Sequence, residues 1–107
     1  MISAARLGVP RKARELYEKA RKPFLKHADI EAQEKLRQAV HLYPAFPEAL
    51  TLLGYIQLQL NQRESAEESL RTPVRSDPTY ARAYLVLSHL YNLQGRFDEA
   101  LEQAQRA

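Results

Sequence analysis

The stretch YLVLSHLYNLQGRFDEAL, residues 84–101, decides the fold of this chain. It combines good helix formers with a short polar connection around Gly95. Asp98 and Glu99 follow the connection and place negative charge in the first turn of a second helix, where such charge is favoured. Because so short a connection forces neighbouring helices to run antiparallel, the stretch predicts a helical hairpin with helices over about 80–93 and 97–107.

The same hairpin recurs upstream with a period of 34 residues, which separates Pro44 from Pro78. Two columns of small residues keep this spacing, namely Ala20, Gly54 and Ser88, and Ala32, Ala66 and Ala100. Small side chains are needed where two helices cross, because they let the backbones approach. The period predicts four more helices, over about 10–26, 29–42, 47–60 and 63–75. Proline inside a helix loses a hydrogen bond and clashes with the preceding turn, so we expect a kink or early stop near Lys22–Pro23 and Thr72–Pro73.

The pattern resembles the tetratricopeptide repeat, W-x2-L-G-x2-Y followed by A-x3-F and P. The third unit reads Tyr84-x2-Leu87-Ser88-x2-Tyr91, and the second reads Leu50-x2-Leu53-Gly54. The resemblance implies an all-α solenoid of three antiparallel helix–turn–helix hairpins, coiled as a right-handed superhelix.

The repeats organise the chain into a tail and one domain. We expect residues 1–9 to be a linker or tail from a preceding segment, and residues 10–107 to form the repeat domain, with repeats at about 13–46, 47–80 and 81–107. Repeat arrays usually end in a polar capping element, and none follows the last hairpin. We therefore expect the chain to be a fragment of a larger, bacterial-type repeat protein.

Composition and motifs argue against several functional classes. The chain has no cysteine, and none of His27, His41 and His89 has a second histidine at metal-ligand spacing. It has no glycine-rich phosphate loop, nucleophile elbow or paired-carboxylate motif. No apolar run approaches the length of a membrane span. We therefore predict no enzyme activity, metal site, cofactor, small-molecule substrate or membrane insertion.

Charge is distributed unevenly along the chain. Residues 1–26 carry eight Lys/Arg against two acids, whereas residues 27–107 carry eight against eleven, giving +6 and −3 for a net charge of +3. A basic segment of this kind can bind nucleic acid or an anionic surface. A solvated terminal helix explains it more simply, because the basic residues spread around the helix and no nucleic-acid motif accompanies them.

The resemblance also implies where a partner binds, because in this family the first helix of each hairpin lines the concave surface. The register assigns eleven residues to this groove: Arg14, Tyr17, Arg21, Thr51, Leu52, Tyr55, Arg82, Leu85, Val86, His89 and Asn92. Such a lining suits a peptide or partner segment with apolar anchors and some acidic groups. The same face carries Glu18 and Glu48, which can pair with its arginines, and the aromatic residues can instead pack between hairpins.

Two further expectations concern the partner. Some family members hold a chaperone's C-terminal carboxylate with two Lys, two Asn and one Arg. The matching positions here are Tyr17, Arg21, Leu52, Arg82 and Val86, of which only Arg82 keeps the chemistry, so we predict no binding of that type. As an alternative function, the chain can self-associate, as a homodimer, through an apolar edge of the last hairpin formed by Tyr91, Phe97, Leu101 and Ala104.

Overall fold

The computed structural model describes residues 8–25, 29–76 and 81–106, and every regular element within these ranges is an α-helix. The six helices are α1 (Arg11–Leu25), α2 (Asp29–Leu42), α3 (Pro47–Gln59), α4 (Arg63–Ser76), α5 (Ala81–Leu93) and α6 (Phe97–Arg106). They pack as three hairpins, α1/α2, α3/α4 and α5/α6, and each hairpin contacts the next through α2 and α3 or α4 and α5. The predicted helical-repeat solenoid is confirmed, and the helix bounds agree with prediction to within one residue.

The turns inside the second and third hairpins rely on a left-handed residue. Asn61 has a φ of 61° and Gly95 a φ of 76°. Both occupy the same position of the repeat, two residues after the last residue of the preceding helix. Asparagine and glycine are the residues that tolerate this conformation best, so each hairpin can reverse direction within a few residues.

We predicted a kink or early stop near Thr72–Pro73. The early stop is wrong, because α4 continues through Pro73 to Ser76, whereas the kink stays a prediction. Pro73 is almost fully buried, with less than 2% of its surface exposed. Packing of the ring in the core offsets the one helical hydrogen bond that proline cannot donate. Helix α1 also passes through its proline and ends two residues later, at Leu25.

The small-residue columns lie at the helix crossings, as expected. A Cβ atom added to Gly54 would lie 2.8 Å from Cγ of Leu70, closer than two carbon atoms can pack. In the third hairpin Ser88 occupies this column, and its hydroxyl donates a 2.9 Å hydrogen bond to the carbonyl oxygen of Ala100. The middle hairpin therefore crosses most tightly where glycine faces leucine.

The core consists of two apolar clusters, one on each side of the middle hairpin. The first joins α1, α2 and α3 around Phe46, whose ring lies 5.3 Å from Tyr17 and 6.0 Å from Tyr43, centroid to centroid. It also includes Val9, which is 5% exposed although the sequence placed it in the terminal linker. Residues 1–7 of that linker lie outside the described residues. The second cluster joins the end of α3 to α4 and α5.

Polar side chains also connect successive hairpins in a repeating way. The Gln33 amide donates to the side-chain oxygen of Gln62 at 2.7 Å across 29 residues. One repeat later, Glu67 lies 3.5 Å from the guanidinium of Arg96, again 29 residues apart. The two pairs occupy the same columns of the 34-residue period. A polar pair in these columns thus ties each hairpin to the next.

Candidate partner-binding groove

The first helices of the three hairpins, α1, α3 and α5, enclose a cavity of about 460 Å³. Nine of the eleven residues that the register assigned to the groove lie around it, together with Glu48. The complete lining is Tyr17, Arg21, Glu48, Thr51, Leu52, Tyr55, Arg82, Leu85, Val86 and His89. The repeat brings them together because residues 34 apart occupy equivalent positions on neighbouring helices.

The 34-residue spacing orders the lining into rows that cross the groove from α1 to α5. These rows are Arg14–Glu48–Arg82, Tyr17–Thr51–Leu85, Glu18–Leu52–Val86 and Arg21–Tyr55–His89. The first and last rows carry the basic groups, and the two middle rows are mainly apolar. Seven residues of helix separate the first row from the last, which corresponds to about 10 Å along the helix axes. The groove therefore has an apolar middle between two basic margins.

The apolar middle is anchored in the core through Tyr17. Its ring packs against the fully buried Phe46, while its edge lines the cavity. Burial raises the pKa of the Tyr17 phenol, and the nearby Arg21 opposes this shift only in part. The hydroxyl therefore stays protonated near neutral pH and can donate a hydrogen bond to a bound partner. Leu85, by contrast, is 55% exposed and is open to contact on the opposite wall.

The basic groups of the groove differ in their pairing. A guanidinium nitrogen of Arg21 lies 3.3 Å from the carboxylate of Glu18, so this arginine already has an acidic neighbour. Arg82 forms no ion pair with any carboxylate of the described residues, and neither does Arg14. Arg82 is thus the arginine of the cavity that has charge available for a partner.

Thr51, in one of the two middle rows, carries a polar group that has no partner among the described residues. The residue is 2% exposed, and its hydroxyl oxygen accepts or donates no hydrogen bond within the described part of the chain. A buried hydroxyl left in this state costs about 1–3 kcal/mol. Sequence reasoning assigned Thr51 to the groove but could not foresee that its hydroxyl would be sealed from solvent.

Two predicted groove residues lie outside the cavity. Arg14 lines a second cavity of about 550 Å³, which shares Tyr17 and Glu48 with the first and so extends the groove towards α1. Asn92 is exposed and lines neither cavity. The groove residues of α5 therefore end at His89.

The four residues of the predicted apolar edge fall into two groups. Phe97 and Leu101 are 67% and 60% exposed, and Ala104 is also exposed. Tyr91 instead packs against the second core cluster, with the Arg96 guanidinium 4.2 Å from its ring centre. Burial raises the pKa of the Tyr91 phenol, as does the nearby Glu67 carboxylate, although Arg96 opposes the shift. Tyr91 thus belongs to the contact between hairpins.

Other kinds of site find little support in the described residues. Within residues 8–25, 29–76 and 81–106, no three His, Asp or Glu side chains cluster as a metal site would require. His27 lies outside these ranges. No helix among those described combines the length and the apolar character that crossing a membrane demands. On basic helix α1, Arg11 pairs with Glu15 at 3.2 Å and Arg21 with Glu18, which neutralises part of its charge locally.

Comparison with known proteins gives a family and a fold. The tetratricopeptide repeat family model matches residues 31–72 and 52–107. The chain is 37% identical over 81 residues to the BBSome complex member BBS4 of Bos taurus, covering 75% of this chain and 16% of that protein. It therefore spans about one sixth of the length of this relative.

Two solved structures show the same fold at low sequence identity. The first tetratricopeptide domain of Spaghetti (RPAP3), bound to the HSP90 peptide SRMEEVD, superposes with a TM-score of 0.86 at 23% identity, covering 90% of this chain and 76% of that chain. The Sgt2 tetratricopeptide domain from Aspergillus fumigatus superposes with a TM-score of 0.87 at 18% identity, covering 99% of this chain and 69% of that chain.

Proposed function

Because this chain belongs to the tetratricopeptide repeat family, we propose that it is a protein-interaction module whose groove binds a segment of a partner protein. The observation that carries the proposal is the cavity between α1, α3 and α5, with its apolar middle and basic margins. A related domain of the same fold, from Spaghetti, was solved with a peptide bound. The family's repeats are scaffolds without catalytic groups, and we infer that this chain is not an enzyme.

The lining specifies which partner segment fits best. Tyr17, Leu52 and Val86 form a surface on which an apolar side chain can be desolvated, and such anchors contribute most of the energy of an interface. Arg82, which has no ion pair among the described residues, can then bind a neighbouring carboxylate of the partner with two parallel hydrogen bonds. We therefore expect a segment that combines an apolar anchor with an acidic residue next to it.

A decisive experiment is selection from a library of random peptides, followed by fluorescence anisotropy with the enriched sequences. Enrichment of apolar residues next to Asp or Glu is expected. Arg82→Ala and Leu85→Gln should each weaken binding of the selected peptides about tenfold or more, as hot-spot residues do. Both side chains are exposed, so neither change should alter the fold. Ile30→Gln, a change at another exposed apolar residue, on α2, is the control. Equal binding by all variants would contradict the proposal.

The chaperone-tail alternative is tested separately. We propose that the groove does not hold a free C-terminal carboxylate in the manner of the family's clamp, because Tyr17, Leu52 and Val86 stand where the clamp needs polar groups. Calorimetric titration with the peptide SRMEEVD should show no binding at micromolar concentrations. An affinity that is micromolar and is lost when the peptide is amidated would contradict this part of the proposal.

A further inference from the structure

The first of the two basic margins of the groove is a row of charges that alternate in sign. The row consists of Arg14 on α1, Glu48 on α3 and Arg82 on α5, which are 34 residues apart and occupy equivalent positions on the three helices. Glu48 lines both cavities, whereas Arg82 lines the first and Arg14 the second. A carboxylate is therefore placed between two guanidinium groups where the two cavities meet.

All three charges of this row are available to a partner. Arg14, Glu48 and Arg82 take part in no ion pair within residues 8–25, 29–76 and 81–106. The two arginines are exposed and Glu48 is half-buried at the cavity wall. In the groove's other pair of opposite charges, Arg21 and Glu18, the two groups are already joined. The first row thus presents both signs of charge in an uncommitted state.

The position of Glu48 in its helix does not account for its position in the groove. Glu48 is the second residue of α3, where the helix dipole favours negative charge. Glu64 is the second residue of α4 and has the same advantage, but it lines neither cavity of the groove. The helix dipole explains why an acid is tolerated at both positions. Only Glu48 combines that position with access to a bound segment.

The row also lies close to the site of the apolar anchor. Burial is the main cause of the raised pKa of the Tyr17 phenol, and the charges of Arg21, Glu48, Glu18 and Arg82 also act on it. Glu48 and Arg82 belong to α3 and α5, so charges from all three helices converge on this ring, which both cavities share. A side chain that packs on Tyr17 therefore brings its neighbours in the partner within reach of the row.

We propose that Glu48 makes the groove select a partner segment in which a basic residue lies between two acidic residues. The inference rests on the proposed function, which gives the partner an apolar anchor and one acidic residue. The acidic residues pair with Arg82 and Arg14, and the basic residue pairs with Glu48. Packed helices are about 8–10 Å apart and an extended chain advances about 3.3 Å per residue, so successive charges of the partner should be about two or three residues apart.

Glu48 also acts against the wrong partner. Arginines on their own would attract any acidic segment, and the more acidic the segment the stronger the attraction. With Glu48 between them, a wholly acidic segment places its middle carboxylate beside another carboxylate, and the two repel. Specificity of this kind comes from a repulsive contact as much as from the attractive ones.

Three matched peptides test the proposal by fluorescence anisotropy. They share the anchor and the two acidic residues of a sequence selected on the wild type and carry Lys, Gln or Glu between the acids. The wild type should bind the Lys peptide about threefold to fivefold more tightly than the Gln peptide, as a partly exposed ion pair allows. The Glu peptide should bind most weakly.

Charge reversal at two matched positions gives the sharpest comparison. Glu48→Arg should invert the order of the three peptides. Glu64→Arg, which changes the net charge equally at the second residue of α4, should keep the wild-type order. Glu48→Gln, a milder change for the fold, should abolish the preference for Lys without inverting it. The preferences should weaken in concentrated salt, because exposed charges are screened.

The outcomes separate this inference from the proposed function. Equal binding of the three peptides by the wild type, or an order that Glu48→Arg and Glu48→Gln leave unchanged, would overturn the role of Glu48 alone. Selection of wholly acidic segments by the wild type would do the same. A library from which the wild type enriches no peptide would contradict the proposed function and, with it, this inference.

Discussion

The middle hairpin and the last hairpin follow the same repeat but bury their residues very differently. In α3 nine residues are buried, and in α4 Leu70 is fully enclosed. In α6 only Ala100 is buried among the described residues. The reason is the number of neighbours, because the middle hairpin packs against a hairpin on each side. The same column of the repeat can therefore be a core position in one hairpin and a surface position in the next.

The largest expected effect is the loss of a core leucine in the middle hairpin. Leu70→Ala removes a side chain that is 0% exposed and leaves a cavity, which should lower the free energy of unfolding by about 2–5 kcal/mol. Leu101→Ala, on the corresponding helix of the last hairpin, should change it by less than about 0.5 kcal/mol. Urea denaturation at low micromolar concentration measures both. Similar losses would show that the two hairpins are equally buried.

The next effect concerns the close approach of α3 and α4. Gly54→Ala should gain about 1 kcal/mol of helix propensity but lose about 1–3 kcal/mol, because its Cβ would press on Leu70. We expect a net destabilisation, measured by thermal unfolding. In the double variant Gly54→Ala/Leu70→Val the two changes should cost less than their sum, because valine makes room for the new methyl group. Strict additivity would contradict this account.

A smaller difference in stability is expected between substitutions in the turn of the last hairpin and in the turn of the middle hairpin. Gly95→Ala should cost about 1–2 kcal/mol of stability, because alanine disfavours a φ of 76°. Apart from its two neighbours in the chain, no described residue has an atom within 4 Å of the added Cβ, so the cost comes from the backbone conformation. Asn61→Gly in the middle hairpin should leave stability almost unchanged. The denaturant midpoints of Gly95→Ala and Asn61→Gly measure the two changes in stability. Equal losses of stability in both variants would contradict the explanation from backbone conformation.

The smallest effect is electrostatic and belongs to the last hairpin. Its hydrogen bond with Arg96 lowers the pKa of the Glu99 carboxyl below the ordinary 4.5. A carboxyl whose pKa is lower in the folded state stabilises the protein above pH 4.5, and this contribution is lost as pH falls through the folded value. Glu99→Gln should therefore flatten the decline in stability between neutral pH and pH 3. The pH dependence of the unfolding midpoint measures the difference, which should vanish in concentrated salt.

The sequence predicted the fold well because the repeat determines it. Period, small-residue columns and short connections each depend on local chemistry, and the helix bounds follow from them to within one residue. Pro73 was misjudged because its burial depends on residues far away in the chain. Local rules state what proline costs a helix, but they do not state what the ring contacts after folding.

The groove was predicted less completely than the fold. Equivalent positions on α1, α3 and α5 could be read from the period, so nine of the assigned residues surround one cavity. The period does not predict which of the arginines form ion pairs. Arg21 and Arg82 look alike in the sequence, yet of the two only Arg21 forms an ion pair with a carboxylate of the described residues. The sealed hydroxyl of Thr51 is also a product of packing.

Tyr17, whose ring packs against Phe46, is one of the tyrosines that give the groove an intrinsic fluorescence signal. The chain has six tyrosines and no tryptophan, so no indole can absorb the energy of the excited tyrosines or mask their emission. Two of the six, Tyr17 and Tyr55, line the cavity. A ligand that covers these rings changes their environment and therefore their fluorescence. A ligand that carries a tryptophan would quench the tyrosine emission by energy transfer. Occupancy of the groove can thus be followed in the unlabelled, unmodified protein.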